Sequence, residues 1–258
     1  RPNTKVIYLE SPSSLLFELQ NLKNVAALAR SRGIVTICDN SNATPFYQNP
    51  IEFGIDLVVH TATKYIGGHS DLLAGAVTGS RDLIDQVWKI RKLFGPMPAP
   101  EVAAQIERSL KTLALRIVAQ NATALELAEY LGAHPSVHGV SYPGLPTHPG
   151  HALAARQMMY GFGPIVAFEV AGGGEAARAT VEALRLVHHA ASLGGAESLV
   201  SLPAFTSHLQ LGPEGRARAG IAEGLVRLSV GLEDPADLRA DLDQALAKAA
   251  AKPQAASR

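Results

Sequence analysis

The first third of the chain alternates two hydrophobic periods, and that alternation restricts its fold more than any other feature. Lys5 to Leu9 is a run of strand length and strand composition. Glu18 to Arg32 places Leu19, Leu22, Val25, Leu28 and Ala29 on one helical stripe, with Gly33 as its stop. Ile34 to Cys38 is mostly β-branched and uncharged, the mark of a strand buried on both faces. Leu57 to His60 and Ala74 to Thr78 read as two further short strands. This rhythm predicts an α/β fold with a largely parallel sheet. In such sheets ligands bind beyond the carboxyl ends of the strands, and Asp39 and Lys64 both stand at such ends.

The pattern changes after a proline-rich break at Pro96 to Pro100. Glu101 to Leu131 lacks proline and glycine and predicts one long helix, or two with a bend. Strands follow at Val137 to Tyr142, Ile165 to Val170 and Leu225 to Val230, with helices at Glu175 to Val187 and Asp237 to Ala250. These elements predict a smaller α+β unit, with an alanine-rich tail from Ala247 to Arg258 that frays at its end. The expected division is residues 1–115 in a larger domain and 116–258 in a smaller one.

Twenty-three basic residues balance 23 acidic ones, which argues against a general nucleic-acid or anionic-membrane binder. No apolar run is long enough to span a bilayer as a helix. The single cysteine, Cys38, allows no internal disulfide, and a reducing cytoplasm is the expected compartment. The chain opens at Arg1 and is strand-like by Val6, so we expect further sequence to precede it.

Thr61-Ala62-Thr63-Lys64-Tyr65-Ile66-Gly67-Gly68-His69 carries the chemistry. Lys64 leaves a buried strand and enters a tight turn. Desolvation there weakens the hold on its proton and makes the amine a usable nucleophile, as a Schiff-base lysine requires. The hydroxyls of Thr61 and Thr63 suit a phosphate, and the combination suggests pyridoxal 5'-phosphate (PLP). Asp39 stands 25 residues earlier in the chain. A carboxylate facing the pyridine nitrogen keeps that ring protonated and able to absorb an electron pair. Taken singly, Asp39 reads as a turn cap and Lys64 as a surface lysine. Their order between buried strands favours the paired reading.

Many ordered segments support it. They are Leu9-Glu10-Ser11-Pro12, Asp39-Asn40, Asp56 to His60, Thr61 to Tyr65 with Gly68-His69, and Leu110 to Leu113. Tyr142 to Leu145, Ser192 to Gly195, Glu197 to Leu199 and Gly224 to Asp234 complete the set. In these segments the chain resembles the Cys/Met-metabolism PLP-dependent enzymes, the trans-sulfuration group of fold-type I, from about Val6 to Leu246. The resemblance implies that Lys64 carries the Schiff base and shuttles protons, and that Asp39 pairs with the pyridinium. It implies Thr61 and Thr63 at the phosphate, Thr63 more firmly. It implies Arg227 at the substrate carboxylate, where a guanidinium fork meets both oxygens. By periodicity alone Arg227 faces either the site or solvent. Ser192 and Leu193 are implied near that carboxylate and the lysine; read alone, they form a glycine-terminated turn.

The departures bear on substrate. The family follows Glu10-Ser11-Pro12 with a small residue and then Asn-Pro, and Ser13-Ser14-Leu15 stands there instead. Serine at this point resembles the bacterial cystathionine β-lyase branch, which makes Ser14 a candidate substrate contact. Leu145 to His151 points the same way, whereas Asn42 stands where that branch has tryptophan. Ala191 replaces a glutamate found in γ-lyases and γ-synthases. The expected activity is therefore a cystathionine lyase, β over γ. The alternatives are γ-replacement on an activated homoserine, methionine γ-lysis, and an inactive piece that serves only as an assembly partner. The resemblance also implies a homotetramer. It further implies a preceding segment that supplies a phosphate nest and a ring-stacking tyrosine, so the chain alone is expected to bind PLP weakly or not at all.

The nine histidines include two close pairs, His188-His189 and His148 with His151, but no cysteine or carboxylate cluster completes a metal site. Surface and loop positions are expected for them. Gly172-Gly173-Gly174 reads as a plain turn, since no Lys-Ser/Thr follows. Trp88, with Leu83, Ile84 and Val87 at helical spacing, reads as core or subunit interface.

Overall fold

Three apolar segments of the first third pair as parallel strands: β1 (Val6–Glu10), β2 (Val35–Asp39) and β3 (Leu57–Thr61). An antiparallel strand, β4 (Gly75–Gly79), closes the sheet in the order β1-β2-β3-β4. The computed structural model that shows this describes residues 1–251. Helix α1 (Leu22–Arg30) crosses from β1 to β2 and packs Leu22 and Ala26 onto Cys38, Ile55 and Val58. Its face of the sheet is a core. The opposite face carries Val6 and Tyr8, both exposed, so β2 alternates in burial rather than being covered on both sides as its sequence predicts.

Helix α1 begins four residues later than its periodicity predicts, because two serines just upstream capture the preceding backbone. The Gln20 amide donates to Ser11 Oγ (3.2 Å) and the Glu18 amide to Ser13 Oγ (3.0 Å). Asn21 then caps the helix through the Asn24 amide (3.0 Å). A four-residue helix, α2 (Thr44–Tyr47), follows β2. Beyond β4, α3 (Arg81–Phe94) buries none of its residues, and Trp88 is 42% exposed. Trp88 is therefore not core of this chain. The long helix expected over Glu101 to Leu131 is two, α4 (Pro100–Leu110) and α5 (Leu113–Gly132). No proline or glycine marks the break. The Ser109 carbonyl there accepts from Thr112 Oγ1 (3.2 Å) and Arg116 Nη2 (3.0 Å).

The remaining chain builds a second sheet from β5 (Val137–Ser141), β6 (Ile165–Val170), β7 (His188–His189), β8 (Leu199–Ser201) and β9 (Leu225–Ser229). Its order is β5-β6-β9-β8-β7, antiparallel except for β7 with β8. His188 and His189 thus form a short strand rather than a loop, and both are exposed. No cluster of metal-ligating side chains occurs among the described residues. Four helices belong to this part: α6 (His151–Gln157), α7 (Gly173–Ala183), α8 (Gly212–Arg218) and α9 (Pro235–Ala251). Phe168, Val226, Leu228, Leu127 and Leu242 centre its core. Helix α7 stops at Ala183 rather than Val187 because the Asp241 carboxylate of α9 accepts from the amides of Arg185, Leu186 and Val187 at 2.8–3.1 Å. Gly172, in the left-handed region, caps α7 as a plain turn. The tail expected to fray is helical to Ala251, and its remainder lies outside the described residues.

A third cluster joins the two sheets. Leu15, Phe17, Tyr47 and Tyr65 from the first part pack on Ile117, Met158, Ile165 and Leu225. No helix among the described residues is long and apolar enough to cross a membrane.

Candidate active site

The site lies where the parallel strands end. β1 and β2 run in register to their last residues, so Glu10 stands beside Asp39, and Val59 of β3 is the next neighbour. Ser41 ties these ends together. Its amide donates to Asp39 Oδ1 (2.9 Å), and its hydroxyl accepts from the Thr61 amide (2.6 Å). The Tyr8 hydroxyl lies 3.5 Å from Asp39 Oδ2.

After Thr61 the chain folds into successive turns closed by Lys64 N to Thr61 O (3.0 Å), Gly67 N to Ala62 O (2.7 Å) and Gly68 N to Lys64 O (2.7 Å). Arg116 of α5 braces them from behind, donating to Tyr65 O (2.9 Å) and Ser109 O (3.0 Å). Its guanidinium occupies the space a side chain at Gly68 would need. From the second part, the Ser192–Gly195 loop comes into backbone contact with Lys64. Gly194 has φ +84°, and a Cβ there would stand 2.6 Å from the Tyr65 amide nitrogen, so glycine is required on both counts. Lys64 Nζ donates to Ser192 Oγ (3.0 Å), and Arg227 Nη2 of β9 donates to Ser192 O (3.1 Å).

These elements enclose a cavity of about 170 Å³. Ser14, Asp39, Thr61, Lys64, Leu193 and Arg227 all line it, and Ser192 is bonded to two of them. Thr63 stands apart: its hydroxyl donates to Ala74 O (3.3 Å) and accepts from the Ala74 amide (3.1 Å). Glu10, Ser41 and Phe17 line the cavity as well, and sequence reasoning gave them no role; Asn42, noted there only for standing in place of a tryptophan, lines it too. Glu10 was within reach of that reasoning, because in-register parallel strands ending at Glu10 and Asp39 place the two carboxylates side by side.

Burial, and secondarily the positive charge of Arg227, pulls the Lys64 amine below the ordinary lysine value. Burial, and then the neighbouring Asp39 charge, pushes the Glu10 carboxyl up. The cavity thus presents a weakened ammonium, two adjacent carboxyl groups and a mostly buried guanidinium, which suits binding and proton transfer on an α-amino acid.

The Cys/Met metabolism PLP-dependent enzyme model matches residues 1–247. The chain belongs to that family. An L-methionine gamma-lyase of Pseudomonas putida is 47% identical over 247 residues, covering 95% of this chain and 62% of its own length. A cystathionine beta-lyase of Lactococcus lactis is 42% identical, with 96% and 65% covered. The crystal structure of cystathionine gamma-lyase from Lactobacillus plantarum superimposes with a TM-score of 0.93 at 37% identity, over 98% of this chain and 66% of that one. The chain therefore spans less than two thirds of the length of these relatives, and the part it spans has their fold-type I α/β architecture.

The family's cofactor is PLP. The donor set fits it: an amine for the aldehyde, a carboxylate for the pyridine nitrogen, and hydroxyl and backbone groups at the strand ends. Arg227 also keeps a buried Nε without a hydrogen-bond partner, so its fork has donor capacity left for an anion.

Proposed function

We propose that this chain carries the lysine side of a PLP site in a carbon–sulfur lyase acting on sulfur amino acids. The supporting observation is the relay in which Lys64 and Arg227 meet at Ser192, across a cavity from Asp39. When bound, PLP supplies an electron sink that makes the substrate Cα–H acidic. Lys64 Nζ would take and return that proton, its lowered pKa leaving more of the amine unprotonated and free to accept. Asp39 would hold the ring nitrogen and keep it protonated. Arg227 holds the substrate carboxylate, and the Ser192 carbonyl holds Arg227. Thr61 serves the phosphate, and Leu193 and Ser14 the substrate; Thr63 joins Thr61 there only by releasing its hydroxyl from Ala74. Residues 1–115 form part of the cofactor-binding domain and 116–258 the small domain. A homotetramer in a cytoplasmic setting belongs to the same reading.

Within this chemistry we assign cystathionine cleavage, on the β side of sulfur, supported by Ser14 and by the lack of a glutamate at Ala191. A second reading, γ-elimination, is favoured by the 47% identity to an L-methionine gamma-lyase. Product analysis separates them. Cystathionine yields pyruvate and homocysteine by β-cleavage, or 2-oxobutyrate and cysteine by γ-cleavage. With the rest of the site supplied, formation of neither keto acid from cystathionine or methionine contradicts both readings, as does turnover that survives Lys64→Ala.

A further inference from the structure

Behind the cavity, a buried polar cluster joins the two parts of the chain. Ser11, Asn40, Gln48 and Gln157 are each no more than 4% exposed. Gln157, at the end of α6, uses both ends of its amide. Its Oε1 accepts from the Leu22 amide (3.1 Å), which opens α1 and has no partner within the helix. Its Nε2 donates to Gln48 Oε1 (3.0 Å) and reaches Ser11 Oγ (3.4 Å). Gln48 Nε2 in turn donates to Ser11 O (2.6 Å) and Asn40 Oδ1 (2.8 Å). Ser11 directly follows Glu10, and Asn40 directly follows Asp39. Each strand end that delivers a carboxyl group to the cavity is therefore anchored in this cluster.

The segment beyond Ser11 also needs holding. Leu15 and Phe17 line the cavity with φ of +69° and +55°, a region that side-chain-bearing residues disfavour. Such geometry persists only where the surroundings over-determine it. Here the surroundings come from the second part: the carbonyl of Leu16 accepts from Ser141 Oγ (2.7 Å), and His148 Nε2 lies 3.2 Å from it.

We propose that Gln157 is a positioning residue of this site: its amide locks the Ser11–Phe17 and Asp39–Gln48 walls together, so that the small sheet's side of the molecule sets the cavity in which Lys64 works. The inference rests on reading the cavity as the PLP site. The bland account is that the cluster only satisfies buried polar groups and stabilises α1 and α6. The two accounts differ in what happens to the walls and at Lys64.

The test uses the full chain with Gln157→Met, which keeps volume and removes every polar atom, and Gln157→Glu. Amide exchange read by mass spectrometry reports the walls without requiring activity. Gln157→Met is expected to speed exchange about tenfold in both wall segments, as expected for leaving a buried polar group unpaired, with the β6 and β9 core unchanged. A protonated glutamate still accepts from Leu22 and donates once. Its ionised form repels the Gln48 oxygen, so the effect of Gln157→Glu grows between about pH 5 and pH 8. Borohydride trapping of added PLP supplies the site readout, and labelling of the Lys64 peptide is expected to fall severalfold in Gln157→Met. Exchange changes confined to α1 and α6, or unchanged trapping with loosened walls, overturns the proposal. Absence of Lys64 labelling in the unsubstituted chain instead contradicts the functional reading, and the exchange arm then still decides whether Gln157 holds the walls.

Discussion

Lys64 Nζ and Ser192 Oγ stand 3.0 Å apart although 128 residues separate them in sequence. Ser192 also accepts, through its carbonyl, a hydrogen bond from Arg227. One serine therefore stations two cations at the same cavity. Their mutual repulsion adds to burial in lowering the Lys64 pKa. Removing the charge with Arg227→Gln leaves burial as the sole large cause, so the Lys64 pKa rises toward the ordinary lysine value. Competitive acylation across a pH series, read at the Lys64 peptide, checks this. The reactivity curve should move to higher pH in the variant, and an unmoved curve removes Arg227 from the account.

Glu10 titrates in the opposite sense. Its carboxyl is held above the usual glutamate value by burial and by Asp39. The folded state therefore binds this proton more tightly than the unfolded state, and stability falls as pH rises from the unfolded value through the folded one. Glu10→Gln removes that loss. Urea denaturation should show the variant more stable than the unsubstituted chain at pH 7, with the difference vanishing below about pH 4. A difference that persists or grows in acid contradicts the assignment.

Asp241 shows why some element ends were not legible in sequence. Helical periodicity carries α7 to Val187, yet the helix stops at Ala183 because a carboxylate about 55 residues away captures three amides. The start of α1 is likewise held from far along the chain, by Gln157 at the Leu22 amide, whereas the break before α5 is local, with the Ser109 carbonyl taken by Thr112 and Arg116. That Asp39 and Lys64 stand at the ends of parallel strands was legible because adjacent segments supply those strands. The positions of Ser192 and Arg227 came from resemblance, since periodicity left Arg227 free to face either way. Asp241→Ala should cost roughly 3 kcal/mol for the charge-assisted bonds it removes, or about 6–12 °C in Tm for a chain of this size. A loss below about 1 kcal/mol would show that water replaces the carboxylate without penalty.

Gly194 links stability to the site. Alanine there meets the Tyr65 amide and must adopt a left-handed backbone. Gly194→Ala should cost at least about 1–2 kcal/mol from the backbone alone. It should also separate Ser192 from Lys64. Thermal melts check the first effect, and the Lys64 acylation profile checks the second. A variant of native stability with an unchanged profile would mean that the loop yields without disturbing the lysine.

The most direct measurement of the central claim is where PLP attaches. The chain is incubated with excess PLP, reduced with borohydride and digested, and the pyridoxyl group is located by mass spectrometry. The account predicts that the label concentrates on Lys64, and that Arg227→Gln lowers its yield at neutral pH by restoring the amine's hold on its proton. Label spread evenly over the chain's lysines, with no preference for Lys64, would contradict it.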